Sequence, residues 1–179
     1  MSIYEIKDDV AIFHEGVTKI GRKTFKDCTW LKGIIIPASV TEIDANAFYC
    51  CTSLESIVVA EGNLVYDSRE SCNAIIETKT NTLIYGCKST IIPESVTEIG
   101  GGAFYRCTSL ESIVLPESVT VIGEWAFKDR ISLESITIPE NVTYIDTYVF
   151  ENCENLTEVN IPDSVTHIGD MVLGGCKNL

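Results

Sequence analysis

Hydrophobic positions along this chain return every 23 residues. Val-Thr-x-Ile or a close relative begins at Val17, Val40, Val96, Val119, Val142 and Val165. The one long interval, 56 residues, holds a regular unit and a unit of 33 that starts near Asn63, whose Tyr66 and Asp67 align with Ile43 and Asp44 one unit earlier. The chain therefore reads as six complete units and a truncated seventh after a short N-terminal segment. A period of this size marks a solenoid.

Numbering Val96 to Ser118 (VTEIGGGAFYRCTSLESIVLPES) from one to 23 gives every unit a register. Leu110, Ile113 and Leu115, at positions 15, 18 and 20, predict a short strand A whose last two apolar residues point inward. Pro116 follows, as Pro37, Pro93, Pro139 and Pro162 do elsewhere, and a proline cannot donate to a ladder, so strand A stops there. Val-Thr-x-Ile is strand B, with positions one and four inward. Position five is always Gly or Asp, residue types that turn the chain or cap a helix, and a short helical turn is expected next. Its inward residues are position eight, position nine (Phe25, Phe48, Phe104, Phe127 and Phe150) and position twelve. One unit cannot close a core around so few apolar groups; stacked about 4.8 Å apart, the same positions form continuous columns.

The 33-residue unit, 63–95, departs from this pattern. Asn73 to Thr78 and Thr82 to Cys87 flank Lys79-Thr80-Asn81, which predicts a hairpin projecting from the stack in place of the helical turn. Residues 1–16 carry Ile3, Tyr4, Ile6 and then Val10 to Phe13 around a polar Lys7-Asp8-Asp9, a second hairpin that would cap the solenoid of residues 17–179.

The recurring V-T-x-I-G-x-x-A-F-x-x-C-x-S-L-x-x-I-x-I-P resembles the BspA-like class of leucine-rich repeats over nearly all the chain from Val17 onward. The resemblance implies a mostly β fold with short helical turns, a right-handed solenoid with two parallel sheets. For function it implies surface display and adhesion to host matrix proteins. Arg130 stands where other units place Cys, and the sequence reads as having neither an export signal nor an anchoring segment.

Charge narrows the partners. Thirteen basic against 26 acidic residues give a net charge of -13, which repels phosphate backbones and anionic lipid, so neither nucleic acid nor membrane insertion is expected. Met1 to Val10 has no basic stretch leading into an apolar run, so the chain reads as soluble, and an extracellular or surface location requires a signal already removed.

Candidate chemistry is sparse. Of eight cysteines, Cys28, Cys51, Cys107, Cys153 and Cys176 share position twelve, a column of inward thiols that point the same way and do not bridge. Cys87 takes a core position, while Cys50 and Cys72 lean outward, where a bridge or a reactive thiol is open to them. No C-x-x-C occurs, and His14 and His167 lie at opposite ends, so no zinc site, nucleophile dyad, metal or cofactor is expected, and no enzyme. Gly100-Gly101-Gly102 lacks the continuation of a phosphate-binding loop. Glu61, Glu94, Glu117, Glu140 and Asp163 line one edge at position 22, either as a solvated margin or as a collector of a divalent cation. Asn141 and Asn155 begin glycosylation acceptor patterns, which matter only in a eukaryotic secretory pathway.

The outward faces carry the functional expectation: a scaffold binding protein or glycan, the alternative being a structural or intracellular scaffolding module without its own ligand. Positions 17 and 19 of strand A are flat and low in charge, from Gly33 and Ile35 to Glu158 and Asn160. Positions three and seven begin as Lys19 with Lys23, Glu42 with Asn46 and Glu98 with Gly102, then become Val121 with Trp125, Tyr144 with Tyr148, and His167 with Met171. Large amphipathic groups of this kind are enriched in binding hot spots. Trp125, Tyr144, Tyr148, His167 and Met171 are thus the candidate ligand-binding residues, unless they merely cover the turns. The seventh unit stops at position 15, before its strand A, so an open C-terminal edge is expected to belong to a longer array or to drive self-association.

Overall fold

The computed structural model describes residues 2–22, 24–44 and 46–179. In chain order its strands are β1 (Tyr4–Lys7), β2 (Val10–Phe13), β3 (Lys19–Ile20), β4 (Gly33–Ile36), β5 (Glu42–Ile43), β6 (Ser56–Val59), β7 (Tyr66–Asp67), β8 (Ala74–Glu77), β9 (Thr82–Gly86), β10 (Glu98–Ile99), β11 (Val121–Ile122), β12 (Ser135–Thr137), β13 (Tyr144–Ile145), β14 (Glu158–Asn160) and β15 (His167–Ile168). They wind into a mostly β solenoid, and the single helical element among the described residues is a 3-10 turn at Arg69–Ser71.

The N-terminal hairpin does more than cap. β1 pairs antiparallel with β2, and β2 continues in parallel onto β4 and β6, so the hairpin supplies the first rung of the strand A sheet. Farther along, β12 and β14 pair in parallel as a separate piece of the same face. On the strand B face, β10, β11, β13 and β15 stack in parallel with position three over position three, Glu98 to Val121 to Tyr144 to His167.

Each recurring residue has a bond to make. Thr120, Thr143 and Thr166, at position two, each give their N–H to the threonine carbonyl one rung below at 2.9 Å, with the hydroxyl aimed at the same oxygen. Pro37, Pro116, Pro139 and Pro162 accept from the valine that opens the next unit, closing the turn between the strands. Ser39, Ser118 and Ser164 donate to the carbonyl of the valine that opens their own unit's strand B. The core is the column of buried phenylalanines: Phe104, Phe127 and Phe150 stack with nearly parallel rings, centroids 5.3 and 5.5 Å apart.

The segment after position five is not helical. Asn46, Gly102, Trp125, Tyr148 and Met171 at position seven all take left-handed φ between 54° and 65°. So do Asp27, Cys50, Arg106, Asp129, Asn152 and Gly175 at position eleven, between 53° and 73°. A left-handed residue breaks a right-handed helix, so the backbone alternates its bonds. N–H groups at positions eight, ten and twelve close turns within their own rung, while those at seven, nine and eleven reach the next, as Trp125 does to Thr147, Phe127 to Val149 and Asp129 to Glu151. The turns form a third ladder.

The hairpin of the long unit is not a projection either. β8 lies between β7 and β9, antiparallel to both, and β9 enters the strand B sheet beside β10 with Thr82 opposite Glu98. Ala74, Ile75 and Ile76 are fully buried, because a strand with three consecutive apolar residues has no solvent face to offer. As expected, the hairpin takes the place of that unit's turn segment. Gly86 lets the Phe104 ring lie on its backbone; a Cβ there would stand 2.2 Å from the ring.

All eight cysteines are free. Cys51 and Cys153 are buried, and each donates its S–H to the Phe carbonyl one rung below at 3.2 Å, so the column is a hydrogen-bonded ladder rather than apolar filling. Burial pushes the Cys51 and Cys153 thiols up to about 12 and Cys107 to about 11. Cys72, expected to lean outward, is buried with a thiol raised to about 11, since the hairpin folds over it. A thiol reagent is therefore expected to titrate three groups in the native protein, Cys28, Cys50 and Cys176, and all eight in denaturant. Eight fast groups without denaturant would contradict this packing.

Arg130 interrupts that column. Its side chain is completely buried, one nitrogen donates to the Leu110 carbonyl at 2.8 Å, and Nε and Nη1 have no partner. Burial pulls the guanidinium below its ordinary value.

Candidate functional site

The five residues proposed from sequence fall into separate places. Tyr144 and His167 sit on the strand B face in register, rings 4.4 Å apart and nearly parallel. Trp125, Tyr148 and Met171 form the position-seven column on the turn ladder. Lys128 lies 5.2 Å over the Tyr148 ring and pairs with Glu151. Trp125 is 42% and Met171 57% exposed. At the other end of the same columns stands the ion pair Lys19 to Glu42, while Lys23 lies outside the described residues.

Backbone conformation makes this column unusual. Gly102 and Asn46 accept a left-handed φ readily, whereas a bulky side chain there costs roughly 1–2 kcal/mol. Three successive rungs carry that strain with Trp, Tyr and Met. On strand A, the position-19 residues Ile35, Val58, Ile91 and Val114 make a second exposed row, the last two 76% and 83% exposed. The position-22 carboxylates are all exposed.

Sequence reasoning missed a notch. Because the long unit has a hairpin in place of its turn, the turns of the units on either side meet directly. Tyr49 and Tyr105, 56 residues apart, bring their rings to 5.3 Å and their hydroxyls to 3.4 Å, and Ser109 donates to the Thr52 carbonyl. Beside this bridge the walls diverge around a cavity of about 410 Å3, floored by Ile84 and Tyr85 and with Tyr66 and Trp125 also in its lining. Burial holds the Tyr85 phenol well above its ordinary value, and it donates to the Phe48 carbonyl. Its trace in the sequence is the 33-residue unit, which contains no Phe and carries a hairpin in place of the turn.

The family model for the BspA type leucine rich repeat region matches residues 7–80 and 74–179, in 6 copies. The chain belongs to the BspA-type leucine-rich repeat family. Solved structures agree with this BspA-type fold. A leucine-rich repeat protein from Eubacterium ventriosum matches with a TM-score of 0.78 and 27% identity, covering 94% of this chain and 46% of its own. A leucine rich cell surface protein from Faecalibacterium prausnitzii gives 0.64 and 29%, covering 95% and 57%. The pneumococcal vaccine antigen PcpA, at 0.78 and 24% over 95% and 49%, shares the fold. This BspA-type chain thus spans about half the length of these structures. Comparison with curated proteins finds no match. No helix among the described residues is long and apolar enough to cross a membrane.

Proposed function

We propose that this chain is a repeat scaffold that binds a protein or glycan at a bacterial cell surface, through the column of Trp125, Tyr148 and Met171 and the Tyr144–His167 pair on the strand B face. The observation that carries this reading is the retained strain. Backbone strain persists where something compensates for it, and such outliers cluster at ligand-contacting sites. Here two rungs of the same ladder show that Gly or Asn fits the position without bulk. Membership of the BspA-type family and the surface protein from Faecalibacterium prausnitzii support the location.

Trp125→Gly separates binding from packing. It removes the left-handed penalty, so stability is expected to hold or rise by about 1 kcal/mol. Binding to immobilised matrix proteins or arrayed glycans, screened first with the unaltered chain, is expected to fall at least fivefold, as roughly 1 kcal/mol requires, and Tyr148→Ala should do the same. Lower stability with unchanged binding would make these packing residues and move attention to the strand A row.

A further inference from the structure

The omitted turn leaves half-used backbone. In a regular rung the N–H groups at positions seven and nine donate to carbonyls at positions six and eight of the next turn, as Gly102 and Phe104 do to Glu124 and Ala126. On the notch wall before the hairpin, the equivalent N–H groups of Asn46 and Phe48 find no such acceptor among the described residues, and on the opposite wall the carbonyl of Gly101 receives no donor. Donors on one side and an acceptor on the other are the two edges of a ladder with a strand removed, the arrangement that takes up an extended peptide.

Side chains in the notch specify the sign of the guest. Aromatic rings from Tyr49, Tyr66, Tyr105 and Trp125 stand with the carboxylates of Glu77 and Glu124, and no lysine or arginine lines the cavity. Neither Glu77 nor Glu124 has a cationic partner among the described residues; the Glu77 carboxylate accepts only the Thr80 hydroxyl. The outer side of the Tyr49–Tyr105 bridge already collects cations, with Lys26 5.8 Å from the Tyr49 centroid and Arg106 5.7 and 5.5 Å from the two rings. Aromatic faces backed by free carboxylates favour a cation strongly over a neutral or anionic group.

We propose that the notch receives an extended segment of a partner polypeptide, its backbone standing where the turn is missing and a lysine or arginine side chain seated among Tyr49, Tyr66, Tyr105, Trp125, Glu77 and Glu124. The assignment deepens the reading of the chain as a protein-binding scaffold and rests on it, sharing Trp125 with the position-seven column and adding the notch residues that the column lacks.

The test is a titration of the whole chain, carrying Trp30→Phe so that Trp125 alone reports, with acetyl-Gly-Lys-Gly-Lys-Gly-amide and its norleucine counterpart. Saturable change in Trp125 emission is expected with the lysine peptide, and at least tenfold weaker binding with norleucine. The double variant Glu77→Gln, Glu124→Gln should weaken the lysine peptide tenfold or more while the circular dichroism spectrum stays unchanged. Equal binding of both peptides, no saturable signal, or a neutral oligosaccharide as the only ligand at Trp125 would each overturn the proposal. A chain that captures its partner normally with both glutamates replaced would overturn the notch and leave the scaffold reading standing. Lysine-peptide binding by a chain that captures no protein or glycan would do the reverse.

Discussion

Replacing Arg130 by methionine is expected to stabilise this protein by about 1–4 kcal/mol, seen as a rise of several degrees in melting temperature. The charge is completely buried, one of its three nitrogens is bonded, and the other two face no acceptor. Taking a guanidinium out of water costs several kcal/mol, and a single carbonyl with the Phe104 face 5.9 Å away offsets little of it. Methionine retains much of the length that packs against Leu110 and Phe104 while removing the charge. Arg130→Cys restores the residue type of neighbouring rungs and should let a thiol donate to the Phe104 carbonyl, but it also empties space, so its gain should be smaller. Urea unfolding with both variants measures the difference. A loss of stability in both would mean that Arg130 holds a compensating anion in solution.

Period and core were legible because they are one-dimensional facts: a residue repeated every 23 positions must stack on itself, and Phe48 or Phe127 cannot face solvent in every rung. The turns were misread for a local reason. Gly or Asp at position five suggests a helix cap, while the residues that forbid a helix lie two and six places later. At position eleven Asp27, Asp129, Asn152 and Gly175 carry a left-handed signal, but Cys50 and Arg106 dilute it; at position seven Trp125, Tyr148 and Met171 contradict it outright. Trp125 and Tyr148 could be singled out as out of place, yet the strain that makes them notable is visible only in the backbone. The notch was legible only in part. That a hairpin replaces one turn can be read from the 33-residue unit, but Tyr49 meeting Tyr105 across 56 residues is a property of no window of the chain.

That junction also sets the last expectation. Gly86→Ala should destabilise the protein by roughly 2–4 kcal/mol, although its backbone is not left-handed and alanine suits a strand better than glycine. The reason is contact: the added carbon would stand 2.2 Å from one Phe104 ring atom and 2.6 Å from another. Phe104 cannot yield, because Phe127 stacks on its other face at 5.3 Å and the column continues to Phe150. Relief must come from the backbone of β9, which would carry Tyr85 and the notch floor with it, so lysine-peptide binding should fall together with stability. Gly101→Ala is the matched control, on the notch wall with its nearest neighbour the Glu124 carbonyl at 3.4 Å, and it should change stability by less than about 1 kcal/mol. Chemical denaturation of the two variants side by side distinguishes a position that needs glycine for space from one that merely has it. Should Gly86→Ala prove as stable as Gly101→Ala, the ring stack would be looser than drawn, and the hairpin would no longer be a fixed rung.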